Sequence, residues 1–269
     1  MRLALRLASL SLVVAAVALA AEGFSLVGKT TLHDSNRVTT TRVLIEPTRV
    51  AVGSEGGGNK TGMVFLADQA VLRIIDHSRR NYREMTPEDI EKLGNQMNEM
   101  MQKMKEHMKN MPPQQRAMME KMMTRKMPAA GQQVEKTVYT AAGSGEVGGR
   151  PCARYEGRRG GEKRDEVCTV SFSEFGAKIQ DFAVFRKLGE LLAKLSPQSA
   201  DQFLQFGGDD WERQQGYPGI PIERKTFSGG KLVSTHVVET VERISIPEEP
   251  FTVPAGYKKQ EGFGPTVGR

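Results

Sequence analysis

Residues Met85–Met127 read MTPEDIEKLGNQMNEMMQKMKEHMKNMPPQQRAMMEKMMTRKM and hold twelve of the fourteen methionines in a chain of 269 residues. Thr86 suits a helix N-cap, Pro87 the first helical position, and Asp89 the acid-favouring first turn. Apolar side chains then recur at Ile90, Leu93, Met97, Met100, Met101, Met104, Met108 and Met111, on the three- and four-residue steps of an amphipathic helix. Gly94 weakens it slightly, and Pro112-Pro113 ends it. A second helix is expected from Pro113, with Met118, Met119, Met122 and Met123 on one side, stopping by Pro128. The stretch 86–127 is therefore read as a helical hairpin with a methionine seam facing inward.

Everything around this hairpin reads as strand. Phe24–Leu32, Val38–Ile45, Arg49–Val52, Met63–Leu66 and Val71–Ile75 are short β-branched or aromatic runs, broken at Asp34-Ser35-Asn36, Pro47 and the glycine-rich stretch before Met63. Gly56-Gly57-Gly58-Asn59-Lys60 lacks the ending of a phosphate loop and reads as a hairpin tip. After the hairpin the pattern resumes at Val134–Thr140, in both arms around Gly160, at Ile222–Phe227 and at Leu232–Ile244. Lys178–Leu195 is a further helical pattern, with Phe182, Phe185, Leu188, Leu191, Leu192 and Leu195 on its apolar side. A short helical piece is expected over Ser199–Phe206. Phe251–Tyr257 is the last ordered stretch expected, with a loose tail over 260–269. The strands before and after the hairpin are each half of a sheet, so residues 21–259 are expected to form one α+β domain. The fold class is a curved antiparallel sheet with helices on one face.

The first twenty residues are different in kind. Arg2 and Arg6, the apolar run Leu7–Val17 and Ala18-Leu19-Ala20 have the layout of a cleaved signal peptide. No cysteine follows to carry a lipid, so the expected destination is periplasmic or secreted. Losing residues 1–20 removes two arginines and no acid, taking the formal charge from +6 to +4. That surplus, with no basic run interleaved with aromatics, argues against nucleic acid as a partner.

Cys152 and Cys168 are the only cysteines. With the turn centred at Gly160 they fall directly opposite one another on the arms of a hairpin. A non-hydrogen-bonded cross-strand pair has Cα atoms ~4.5 Å apart, within disulfide range. A structural disulfide is expected there.

No catalytic signature stands out. Gly143-Ser144-Gly145 reads as a loop and not a nucleophile elbow. His33, His77, His107 and His236 have no second histidine or cysteine at zinc-ligand spacing. Asp209-Asp210 reads as a solvated turn, and Trp211 as cover for a core edge. No cofactor is implied.

The sequence also resembles a known family. Asp76 to Tyr82 with Met85-Thr86, the methionine-rich helix, Pro112-Pro113-x-x-Arg116-x-x-x-Glu120, Gly149-x-Pro151-Cys152-x-x-Tyr155 and Phe251-x-Val253-Pro254-x-Gly256-Tyr257-Lys258 together resemble the DUF4412 family of exported bacterial proteins. That family is related to the periplasmic lipoprotein carriers LolA and LolB. The resemblance implies an incomplete β-barrel with helices on its concave face, where the carriers hold acyl chains. It supplies no catalytic residues.

Three readings of the methionine seam follow: core packing, an adaptable lid over an apolar cavity, or soft-metal binding through Met104, His107, Met108 and Met111. The leading expectation is a non-enzymatic carrier-like protein for a lipid or other amphipathic molecule, with the envelope membrane or an envelope protein as a transient partner. Its cavity or lid residues would be Met97, Met101, Met104, Met108, Phe182, Phe185, Leu188 and Leu192. A copper-handling protein and a structural envelope protein with a filled core are the alternatives.

Overall fold

The computed structural model describes residues 21–109, 111–112, 114–115, 136–194, 212 and 215–261; the side chains of Met97, Met101 and Lys105 lie outside the description. The signal-like segment, the second half of the helical hairpin, the piece expected over Ser199–Phe206, Asp209-Asp210, Trp211 and the tail from 262 therefore fall outside the described residues.

Six strands precede the long helix: β1 (Ala21–Leu32), β2 (Arg37–Glu46), β3 (Arg49–Gly56), β4 (Asn59–Leu66), β5 (Val71–Asp76) and β6 (Asn81–Met85). Helix α1 is Pro87–Lys109. Then come β7 (Val138–Val147), β8 (Arg150–Arg159), β9 (Glu162–Val170), helix α2 (Val184–Ala193), β10 (Ile220–Ser228), β11 (Lys231–Ile246) and β12 (Lys258–Lys259). They form one curved, unclosed sheet in the order β12-β6-β5-β4-β3-β2-β1-β11-β10-β9-β8-β7. Pairing is antiparallel except for β12, which adds to β6 in parallel. The two halves expected from sequence meet at β1 and β11, where Ala21 lies opposite Ile246 and Leu32 opposite Ser234.

Four hairpins turn on Gly-Gly pairs, at Gly57-Gly58, Gly148-Gly149, Gly160-Gly161 and Gly229-Gly230. Two-residue turns of this kind need φ > 0 at both positions, and the first pair has φ 60° and 79°. Two strands differ from expectation. Asn81–Met85, not among the expected strands, pairs with β5 because Tyr82 and Met85 alternate between the two faces. Gly143-Ser144-Gly145 is not a loop but part of β7, which tolerates it through a register shift between Ala141 and Ser144.

Along β2 to β5 successive side chains go to opposite faces, and both faces are buried at the centre. Phe24, Ile45, Val50, Phe65 and Leu72 form one core with Ile90 of α1, Phe182, and Val184, Leu188 and Leu191 of α2. Leu44, Ala51, Val64, Ile75 and Ile246 form a second core on the other side, closed by Phe251. Burying side chains of this size contributes about 1.5–3 kcal/mol each. The helices do lie on one face. The opposite face, for which the sequence suggested no cover, is crossed by the chain's C-terminal segment.

That segment is held at each step. A 3-10 turn at Glu249–Phe251 seats Phe251, which is 1% exposed, beneath the Arg49 guanidinium at 4.1 Å from the ring centroid. Tyr257 meets His77 edge-on, and its hydroxyl lies 3.1 Å from His77 Nδ1. Beyond it Lys258 N–H donates to Arg80 O at 3.1 Å and Gln260 N–H to Tyr82 O at 2.8 Å. The Phe251–Lys258 motif is thus a strap from β11 across the sheet to β6.

Cys152 and Cys168 are bonded, with Cα atoms 5.5 Å apart, but they are not directly opposite. Cys168 faces Arg154, so the bridge runs diagonally between β8 and β9. The two-residue turn is centred between Gly160 and Gly161, and a bulge between Gly157 and Arg158 shifts the register further. The pair packs with Val170 and Ile222. Among the described residues no helix is long and apolar enough to cross a membrane.

Candidate functional site

Helix α1 starts on the core and leaves it. At its N-terminus Asp89 N–H donates to Thr86 Oγ1 at 3.3 Å, and Thr86 N–H donates back to Asp89 Oδ2 at 3.1 Å, a reciprocal cap. That hydrogen bonding holds the Asp89 carboxyl below the usual carboxylate range. Ile90, one turn in, is fully buried and Gly94 is buried. Further along, Met100 is 70% exposed, Met104 and Met108 are half-buried, and His107 is exposed. The seam does not remain inward: Met100 faces solvent, because the helix outruns the sheet it packs on. Met97 and Met101, both expected at the cavity, have side chains outside the description.

The other expected cavity residues form packing. Phe182 is buried, its ring 5.7 Å from that of Phe24 and 5.5 Å from that of Phe172. Leu188 is fully buried, and Phe185 and Leu192 are partly buried against the same core. These four side chains come together between sheet and helices, and Met104 and Met108 are not part of that cluster.

A polar centre that sequence reasoning missed lies on the other half of the sheet. Tyr217, 3% exposed, packs edge-on against Tyr139 at 4.8 Å and near Tyr155 at 6.1 Å. Arg224 donates to the Tyr217 hydroxyl. Tyr139 donates to Asp165 Oδ2 at 3.1 Å, and Thr226 donates to its Oδ1 at 3.4 Å. Burial pushes the Tyr139 and Tyr217 hydroxyls above their ordinary range, so both stay neutral, Tyr139 as a donor and Tyr217 as an acceptor. His236, 3.0 Å from Thr30 Oγ1, has its pKa lowered first by burial and then by the Arg224 charge. The arrangement locks the Gln215–Gly219 segment to the sheet: Gln215 Nε2 donates to the carbonyls of Tyr217 and Gly219 at 2.6 and 3.1 Å. The only local signal was the turn sequence Gly216-Tyr217-Pro218-Gly219.

Two grooves flank the strap. One of about 420 Å³ is lined by Glu46, Arg49, Asp68, Arg73, Glu248 and Phe251, among others. There Arg49 bridges buried Glu46 and exposed Glu248, each at 2.5 Å, and the two carboxylates hold its pKa up. The other, of about 570 Å³, is lined by Arg42, Ser54, Glu55, Lys60 and His77, among others. Polar and charged residues predominate among those lining both, and neither is lined by a methionine of α1 or by the apolar residues of α2.

Comparison with known proteins gives a family and little else. A search among curated proteins finds no match. Among solved structures, an uncharacterized conserved protein from Thermus thermophilus aligns with a TM-score of 0.44 at 8% identity, covering 90% of this chain and 91% of that one. MucB, solved in complex with MucA(peri), aligns at 0.39 and 9% identity over 88% of this chain. The Pseudomonas aeruginosa MucA/MucB complex aligns at 0.39 and 9% over 89% of it. The chain spans little over half of those two, 56% and 58% of their lengths. At such scores these alignments describe likeness without deciding function. The family model described as a domain of unknown function (DUF4412) matches residues 73–257, from β5 through the strap, and the chain belongs to that family.

Proposed function

We propose that the protein is a non-enzymatic, periplasmic binding or carrier-type protein for a lipid or other amphipathic molecule, engaged along the outer part of α1. The observation that carries this reading is the change along one helix face. Ile90 is fully buried, whereas Met100 is 70% exposed and Met104 and Met108 are half-buried. The apolar stripe continues out of the core, and where it emerges its side chains are thioethers. Unbranched, polarisable side chains of this kind adapt to acyl chains of varied shape, as they do at other promiscuous surfaces. A chain laid along the stripe gains about 0.8 kcal/mol per buried CH₂, so eight such groups supply about 6 kcal/mol before the cost of ordering. The packed core beneath α2 then acts as a rigid platform.

Native mass spectrometry of the purified protein tests this directly: co-purifying lipid is expected. A fluorescent fatty acid should bind, and Met100→Glu with Met104→Glu should weaken it at least tenfold without unfolding the chain. Absence of both co-purified lipid and fatty-acid binding would sink the proposal.

A further inference from the structure

We infer that Met104, His107, Met108 and Met111, at the C-terminal end of α1, form a binding site for a monovalent soft cation such as Cu(I). The placement comes from helix geometry. At ~1.5 Å rise and ~100° per residue, Met108 lies ~6 Å along and ~40° around from Met104, with His107 between them in height. Positions three and four apart on a helix are surface neighbours, with Cβ atoms ~5–6 Å apart. Met111 continues the same face through the turn in which its N–H meets Met108 O at 3.2 Å. Met104, His107 and Met108 therefore share one face of the helix, and Met111 follows in the turn just beyond its end.

Exposure separates this group from the packing stripe it continues. A stripe of methionine that serves a core should be sealed, as Ile90 is. Here His107 is exposed, Met104, Met108 and Met111 are half-buried, and Met100, one turn back on the same face, is 70% exposed.

The donor set selects the ion. Thioether is a soft ligand that favours Cu(I), and imidazole also suits copper. All four donors bind uncharged, and thioethers have no proton to lose, so the set offsets little of a dication's charge and suits a monovalent ion. Helix polarity adds to this, since the carbonyl end of a helix favours a cation. Among the described side chains, the lysines of this stretch are Lys103 and Lys109, and both are exposed to solvent. Among the described residues no group of three or more histidine, cysteine or carboxylate side chains is placed to hold a metal, so a hard or borderline ion has no comparable cluster there.

The test uses the full mature chain under anaerobic conditions. Cu(I) is supplied as its bicinchoninate complex, and redox-inert Ag(I) is titrated against protein labelled with ¹³C at the methionine methyl groups. One equivalent of Cu(I) should be withdrawn from the chelator, and the methyl signals of Met104 and Met108 should move with Ag(I) while that of Met63 on β4 stays. His107→Ala and Met104→Leu/Met108→Leu should each weaken retention at least tenfold. His107→Ala should leave fatty-acid binding unchanged, which separates this site from the amphiphile surface whichever of the two fails. No withdrawal of Cu(I), withdrawal untouched by both variants, or Ag(I) shifts confined to other methionines would overturn the inference.

Discussion

Replacing Phe251 by alanine tests whether the C-terminal strap is part of the fold or merely lies on it. The ring is 1% exposed and closes the core of Leu44, Ala51, Val64, Ile75 and Ile246. Truncating a buried phenylalanine removes its transfer free energy and leaves a cavity, a loss of about 3–5 kcal/mol. The Arg49 guanidinium above the ring loses its aromatic partner, but Glu46 and Glu248 still hold it, so that contribution stays small. A residue on a loosely attached tail would instead change stability by less than about 0.5 kcal/mol. Urea denaturation gives the global figure. Hydrogen exchange gives the local one, because the Lys258 and Gln260 amides donate to Arg80 and Tyr82 only while the strap is down. A midpoint shift worth about 3 kcal/mol or more, with protection lost at both amides, is the expected result. A loss below about 1 kcal/mol with both amides still protected would refute the argument that the strap seals the sheet.

Three further outcomes follow. Leu188→Ala, at a fully buried site, should cost about 2–5 kcal/mol, whereas Met100→Ala, at a position 70% exposed, should stay within about 0.5 kcal/mol in the same urea titration. Replacing both Cys152 and Cys168 by alanine frees a link across 16 residues of sequence and should lower unfolding stability by about 2–4 kcal/mol, read by denaturation with and without reductant. His236 has a folded pKa below its ordinary value of 6.5, set by burial and then by Arg224. Its contribution is complete above about 6.5 and is lost as pH falls through the lower folded value, so the urea midpoint should drop as pH is lowered below about 6.5, and His236→Gln should flatten that slope.

The hairpins were legible because Gly-Gly pairs leave the chain few alternatives, and the curved antiparallel sheet because short alternating runs recur on both sides of one helical insert. Other features depend on partners distant in sequence. Asn81–Met85 carries a weak alternating pattern and becomes a strand only beside β5. The diagonal bridge between Cys152 and Cys168 reflects a bulge at Gly157 that spacing could not reveal. Periodicity showed which residues of α1 share a face, but not where the surface beneath that face ends, which is why Met100 was expected inside and lies outside. Tyr139, Asp165, Tyr217, Arg224 and His236 come from four separate stretches, and only tertiary structure joins them.

The pairing of β1 with β11 sets an order of events for the newly made chain. The first described strand, Ala21–Leu32, finds its partner only when Lys231–Ile246 has been synthesised, and that one ladder joins the two halves. Contacts so far apart in sequence form late and slowly, because the intervening loop must be closed before they return any free energy. Until then the first half has hydrogen-bonding groups of β1 exposed along one side and lacks the α2 side chains that complete its core. For a chain exported as proposed above, which would have to thread unfolded through a translocon, this delay is useful: the architecture withholds its final, stabilising step until nearly all of the chain can already have passed to the other side.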